Sequence, residues 1–479
     1  MSKEFLKDRI SRRDFIQSSA LAGAGFLLPS CLNSCSSANT SSLIGNRFLT
    51  LCIPIRTTPW EVSRDVKIID EDESDIHSLK VVRSMSDAFR KHCPEGRLTW
   101  GFTLNALEDQ RSNYVEIRDF TVECHEKYGD EIAYWPAYFP VMYLPRTQIN
   151  REMSEAIQMI SEMVGGGYRP QSVIAGYLSS ENMRYLAKEE DIHVAHGVIW
   201  SQYGIDAGDA DGSPCYPYYP SLEHICKPAQ GKEDFIDCVN LDGWTMDFVT
   251  ARKNGVVWEG PGAYNSRLGM GPIETYGRLG FEPGHEQYMH TQAVHFNRGF
   301  ELNQFAWVTS TWEAALVGQY PSDKYEPDLI IKAMERWIED TKKRWPDTKM
   351  ISFGEFGEIW RDHYKSNDPM DYRFEARGSG IAGSEADIEV RWFMNKSFRL
   401  GLIRNWKEDS PEMVMDFTRY DLPAQELPDS TPDNPQRNWS LMNRINQKGV
   451  RPQDQPVLIS KLTNDDKDLI SMYYPELLK

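Results

Sequence analysis

The chain has 479 residues, with 53 Lys and Arg against 71 Asp and Glu, for a formal net charge of −18. Apolar residues at 40% and charged residues at 26% describe a globular chain, long enough for a large barrel plus an appendage. An acidic balance without a basic stripe excludes nucleic acid as a partner, since phosphate binding needs clustered cations. Eight cysteines without C-x-x-C or zinc spacing are too sparse for a disulfide scaffold.

The first element in chain order is an address segment. Lys3, Lys7 and Arg9 precede Ser11-Arg12-Arg13-Asp14-Phe15-Ile16 and a mildly apolar run to Pro29. That run is shorter than the roughly 20 residues of a spanning helix. The segment resembles a twin-arginine export signal, and Leu28-Pro29-Ser30-Cys31 resembles a lipobox. The resemblance implies an export signal over 1–30, lipidation at Cys31, a flexible tether over 31–46 and localisation in a bacterial envelope, periplasmic or at the cell surface. An ordinary secretory signal would lead to the same export. Removing residues 1–30 takes away five basic and three acidic residues and leaves −20 over 449 residues. Attachment to the membrane would then come from lipid, not from charge.

From Arg47 onward strand-like and helix-like runs alternate. Phe48–Ile55 reads as a strand, and Ser74–His92 as a helix with Ile76, Leu79, Val82, Met85 and Phe89 on one face. Leu98–Leu104 alternates as a strand, and Asn113–Tyr128 reads as a helix capped by Asn113 with Glu116 completing a capping box. Strands are expected at Glu131–Trp135, Ser172–Gly176, His193–Trp200, Gln304–Thr309 and Met350–Phe353, with helices at 147–163, 181–189 and 328–344 between them. Such units imply a parallel sheet. Without a Gly-rich dinucleotide or phosphate turn they predict a parallel (β/α)7-8 barrel over 47–365. Beyond it, 387–394 and 398–403 form a hairpin, so 366–479 reads as a small C-terminal β appendage and wrap.

Barrel chemistry sits just past the C-terminal ends of strands. Glu355 follows the 350–353 strand with Gly354 before it, Glu313 follows the 304–309 strand beside Trp312, and Asp206 lies beyond the 193–200 strand. These three carboxylates are the expected catalytic set. Trp135, Tyr138, Trp200, Trp312 and Trp360 fall near the same ends as sugar platforms. Carboxylates mixed with aromatic faces suit a glycan, because paired carboxyl groups do acid/base work at a glycosidic oxygen. No motif names a cofactor. His285, His290 and His295 recur every five residues, which does not place them on one helix face.

The order of elements from Tyr128 to Asp209 resembles a polysaccharide deacetylase barrel, within the glycoside hydrolase/deacetylase superfamily. Tyr128-Gly129-Asp130-Glu131-Ile132-Ala133-Tyr134-Trp135-Pro136-Ala137-Tyr138, the helix 147–163 and Tyr168-Arg169-Pro170 carry the resemblance. It implies a barrel, a carbohydrate substrate, and Arg169 as a group that holds an anion or hydroxyl. Trp135 and Tyr138 stand where the family has its metal histidines, and Arg56-Thr57-Thr58 stand where it has an Asp pair. Those departures speak against metal-dependent deacetylation. The expectation is therefore a metal-independent glycoside hydrolase. Its alternatives are a catalytically inactive glycan-binding barrel and a metal-dependent hydrolase with ligands relocated to His285, His290, His295 and nearby acids.

Overall fold

The computed structural model describes residues 42–58, 72–137, 140–174, 178–198, 212–251, 256–257, 264–265, 267–319, 328–437, 439–441 and 456–479. Alternation divides the first strand, β1 (Arg47–Ile55), between two environments. Leu49, Leu51, Ile53 and Ile55 pack under the surrounding helices, whereas Phe48 and Cys52 face the inside of the sheet. Parallel to β1 run β2 (Thr99–Phe102), β3 (Glu131–Tyr134), β4 (Ser172–Ile174), β5 (Val194–Val198) and β6 (Val239–Asp242). A separate two-stranded pair, β7 (Val256–Val257) and β8 (Tyr264–Asn265), lies outside this sheet. On the other side of β1 comes β9 (Ala306–Thr311), and a short β10 (Lys349–Met350) pairs with Phe48 and Leu49.

Closure is made at the C-terminal end, past the last residue of β6. The Thr245 amide donates to the Thr309 carbonyl at 3.0 Å, and the Thr311 hydroxyl donates to the Gly243 carbonyl at 3.1 Å. The sheet is thus a nearly closed parallel (β/α)7-8 barrel. Its wall is covered by α1 (Leu79–Arg90), α2 (Ser112–Tyr128), α3 (Arg146–Val164), α4 (Ser180–Tyr185), α5 (Pro272–Leu279), α6 (Phe281–Val294) and α7 (Leu329–Arg344). Arg111, not Asn113, occupies the cap position of α2. The Asn113 amide instead donates to the carbonyls of Ser74 and His77, tying α2 to the approach to α1.

The largest departure from expectation follows β10. The expected strand over 350–353 stops at Met350, and a helix, α8 (Phe353–His363), begins where the strand was to end. Ser352 ends the strand, because its hydroxyl accepts from the Glu355 amide and caps the helix. Since β10 pairs at the start of β1, α8 emerges at the barrel's N-terminal end and plugs it. Phe353, Phe356 and Trp360 point inward, and Phe356 stacks on Trp307 of β9 at 4.7 Å.

The appendage is a five-stranded antiparallel sheet: β11 (Asp371–Arg377), β12 (Ile388–Asn395), β13 (Phe398–Asn405), β14 (Met413–Arg419) and β15 (Val457–Leu458). One face places Tyr372, Phe374 and Met394 in the same core as the plug. The other holds Phe398, Leu400 and Phe417 against α9 (Asn464–Tyr473). The six described cysteines are buried and stand outside any disulfide.

Candidate active site

The C-terminal mouth is organised where β1 and β9 end side by side, with Cys52 opposite Thr311 and the Trp312 amide on the Cys52 carbonyl at 2.8 Å. Arg56 directly follows the last residue of β1, and Glu313 stands two residues past the end of β9. Arg56 Nη1 donates to Glu313 Oε2 at 2.5 Å. Its Nε and Nη2 donate to the two oxygens of Glu73 at 2.6 and 3.0 Å. Arg56 and Glu73 are almost wholly buried, whereas the Glu313 side chain keeps 15% of its surface. A planar guanidinium suits this fork-to-fork pairing, and Glu73 thereby fixes the cation that holds Glu313.

A second layer fixes Arg56 itself. Tyr114 donates its hydroxyl to the Arg56 carbonyl at 2.8 Å. The Arg56 amide points at His77 Nε2 at 3.4 Å, and His77 Nδ1 faces the Glu73 carbonyl at 3.2 Å. Nδ1 must then carry the proton. Burial, with the nearby Arg56 charge adding to it, pushes the His77 pKa down to about 4, so the ring stays neutral at physiological pH.

The structure disperses four of the six described residues that were expected to converge here. Glu355 lies in the first turn of the plug helix, at the opposite end of the barrel, and pairs with Arg97. Arg169 precedes β4, so it too lies at the N-terminal end, with its Nε and Nη2 on the Glu190 carbonyl. Trp312 turns away from the mouth: it is fully buried, parallel to Trp337 of α7 at 5.8 Å, with its indole N–H on Ser310. Trp360 is buried in the plug and donates to the Tyr372 hydroxyl at 3.0 Å. Neither ring presents a face to a sugar. Trp135 does stand at the end of β3, buried toward the barrel interior. Tyr138, Trp200, Asp206 and Cys31 lie outside the described residues.

The three histidines considered as relocated ligands are engaged separately. His285 bonds Asp340 and Tyr276, His290 faces the Arg377 carbonyl, and His295 pairs with the Tyr216 hydroxyl. Among the described residues no group of three or more His, Cys, Asp or Glu is arranged to hold a metal ion. Glu73 is the residue that reading the sequence missed. It stands well past the end of β1 and reaches the mouth from the approach to α1, where its amide bonds the Thr57 carbonyl at 2.9 Å.

Fold and mouth together define a parallel β/α-barrel protein with an arginine-held carboxylate at its C-terminal rim. The chain belongs to the family of the domain of unknown function with a solved structure DUF3863, which matches residues 41–394, and residues 399–477 match DUF3864. A Parabacteroides distasonis protein, named as a candidate glycoside hydrolase/deacetylase, is 61% identical, covers 91% of this chain and 99% of its own, and superposes with a TM-score of 0.87. A GH57 branching enzyme from Thermococcus kodakaraensis is 11% identical over 65% of this chain and 70% of its own, with a TM-score of 0.39. The 4-alpha-glucanotransferase of Thermococcus litoralis is 13% identical over 65% of this chain and 40% of its own, with the same TM-score of 0.39. At that distance the two likenesses bear on neither substrate nor mechanism. No curated protein matches the chain.

Proposed function

We propose that the protein is an exported glycan-active enzyme, lipid-anchored through Cys31, that hydrolyses glycosidic bonds at the C-terminal mouth of its barrel. The observation that carries this reading is the Glu313 carboxylate, set at the end of β9 by Arg56 and left partly exposed while its partners are buried. The name given to the Parabacteroides distasonis relative supports glycan as the substrate class.

In this reading Glu313 acts at the anomeric carbon, as nucleophile or as the base that activates water. Hydrolysis needs a second carboxyl group to protonate the leaving oxygen, and Asp206 is assigned that part from its place after β5. Glu73 has both oxygens on Arg56, so its task is to hold the cation that positions Glu313. Trp135, at the end of β3, closes the inner side of the sugar site, and Trp200 and Tyr138 are assigned to its rim. The reaction as written uses no metal. A panel of bacterial and host oligosaccharides, scored for new reducing ends, tests the proposal. Cleavage of at least one member is expected, and binding without cleavage of any would replace the enzyme with a glycan-binding barrel.

A further inference from the structure

A second cleft, of about 580 Å³, opens at the opposite end of the barrel. It falls within the range of about 300–1,000 Å³ usual for small-molecule sites. Its origin is a split in the sheet. The described register of β3 and β4 holds one pair, Tyr134 with Val173, and below it the strands part. The Tyr168 hydroxyl fills the gap, accepting from the Ile132 amide and donating to the Ile132 carbonyl, both at 2.8 Å. Glu131 forms the floor. Its oxygens accept from the Ser172 hydroxyl at 2.7 Å and the Gly354 amide at 2.8 Å, so the floor is fixed and satisfied.

The rim is different, because its donors are only partly used. Arg97, 43% exposed, gives Nη1 to Glu355 and has no other side-chain partner among the described residues. Arg169, 44% exposed, spends Nε and Nη2 on Glu190 and leaves Nη1. The Gln171 side-chain amide also lines the cleft, with no hydrogen-bond partner among the described residues. Acceptors stand beside these donors. His125 Nδ1 faces the Asp130 carbonyl at 2.7 Å, which puts the proton on Nδ1 and leaves Nε2 as an acceptor. The second oxygen of Glu355 is another.

The N–H groups that Arg97 and Arg169 keep beyond their pairs with Glu355 and Glu190 can still donate to an oxyanion, although Asp130 and Glu131 also line the cleft. The neighbouring imidazole, amide and carboxylate match hydroxyl groups. We propose that this cleft is an accessory binding site for an acidic sugar, with its carboxylate on Arg97 and Arg169 and its hydroxyls on His125, Gln171 and Glu355. The inference rests on the glycan reading above but places its ligand at the other end of the barrel.

Calorimetric titration with glucuronic acid, glucose and sodium sulfate tests it on the full protein. Glucuronic acid is expected to bind, glucose and sulfate at least about tenfold more weakly, which corresponds to about 1.4 kcal/mol. Arg97→Gln or Arg169→Gln should weaken glucuronic acid by about tenfold or more, with an unchanged melting profile. Glu355→Gln should tighten it about threefold, since it frees Arg97 from its competing carboxylate. Equal affinity for sulfate, or affinity indifferent to both arginine substitutions, would overturn the proposal. Glucuronic acid binding that persists in a protein cleaving no glycan would sink the hydrolase reading and leave this site standing.

Discussion

His196 shows how much a single side chain can tie stability to pH. It points into the barrel from β5, ring to ring with Phe353 at 5.2 Å, and neither of its nitrogens has a hydrogen-bond partner among the described residues. Burial pushes its pKa down to about 3, far below the unfolded value near 6.5. The unfolded chain therefore binds a proton that the folded chain refuses, and stability is lost as pH falls below about 6.5. His224 and His295 are likewise pushed down to about 3 by burial and act in the same direction. We expect the melting temperature to fall steadily between pH 7 and 5. His196→Leu should flatten the underlying slope of unfolding free energy by up to about 1.4 kcal/mol per pH unit, and the melting-temperature slope with it. An identical slope in the variant would show that His196 is not the buried neutral group described.

Elements explain why some of the site was legible in the sequence and some was not. The end of β9 was readable because an apolar strand runs straight into Thr311-Trp312-Glu313, although the strand extends two residues past its expected end. Glu355 carried the same local signature of apolar run, glycine and acid. What differed was register: β10 pairs only with the first residues of β1, a non-local fact that no local pattern encodes. Trp312 and Trp360 failed for a related reason: Trp312 turns from the end of β9 onto Trp337 of α7, and Trp360 lies on the inward face of α8, placements set by packing that no local pattern encodes. The plug also offers a sharp test of packing. A Cβ added at Gly357 would come 2.4 Å from Val194 Cγ1, so α8 meets β5 without room for a methyl group. Gly357→Ala should cost about 1–3 kcal/mol in thermal or denaturant unfolding. No loss would mean that the plug sits less closely on β5 than described.

Across the whole molecule, the barrel and the appendage are one folding problem. The parallel barrel and its β tail were both expected from the sequence, but their mutual dependence was not. Tyr372, Phe374 and Met394 complete the core that Trp307 and Phe356 begin. A strap from the appendage then crosses to the opposite end. Glu426 accepts from the Ser180 amide at 2.7 Å and the Ile225 amide at 2.9 Å, and Arg146 bonds the Leu427 carbonyl at 2.6 Å. Those partners belong to segments that follow β3, β4 and β5, so the appendage braces the rim as well as the plug. A chain ending at residue 365 is expected to be insoluble or to melt without cooperativity, and a soluble fragment with a sharp transition would contradict this picture.

The proposed chemistry resides at the C-terminal mouth, on the carboxylate that Arg56 holds. Its most direct test is the turnover of Glu313→Gln on the glycan that the native protein cleaves, measured beside its melting curve. A fall in kcat of about a hundredfold or more is expected, with folding preserved. A variant that folds and turns over at the native rate would contradict it.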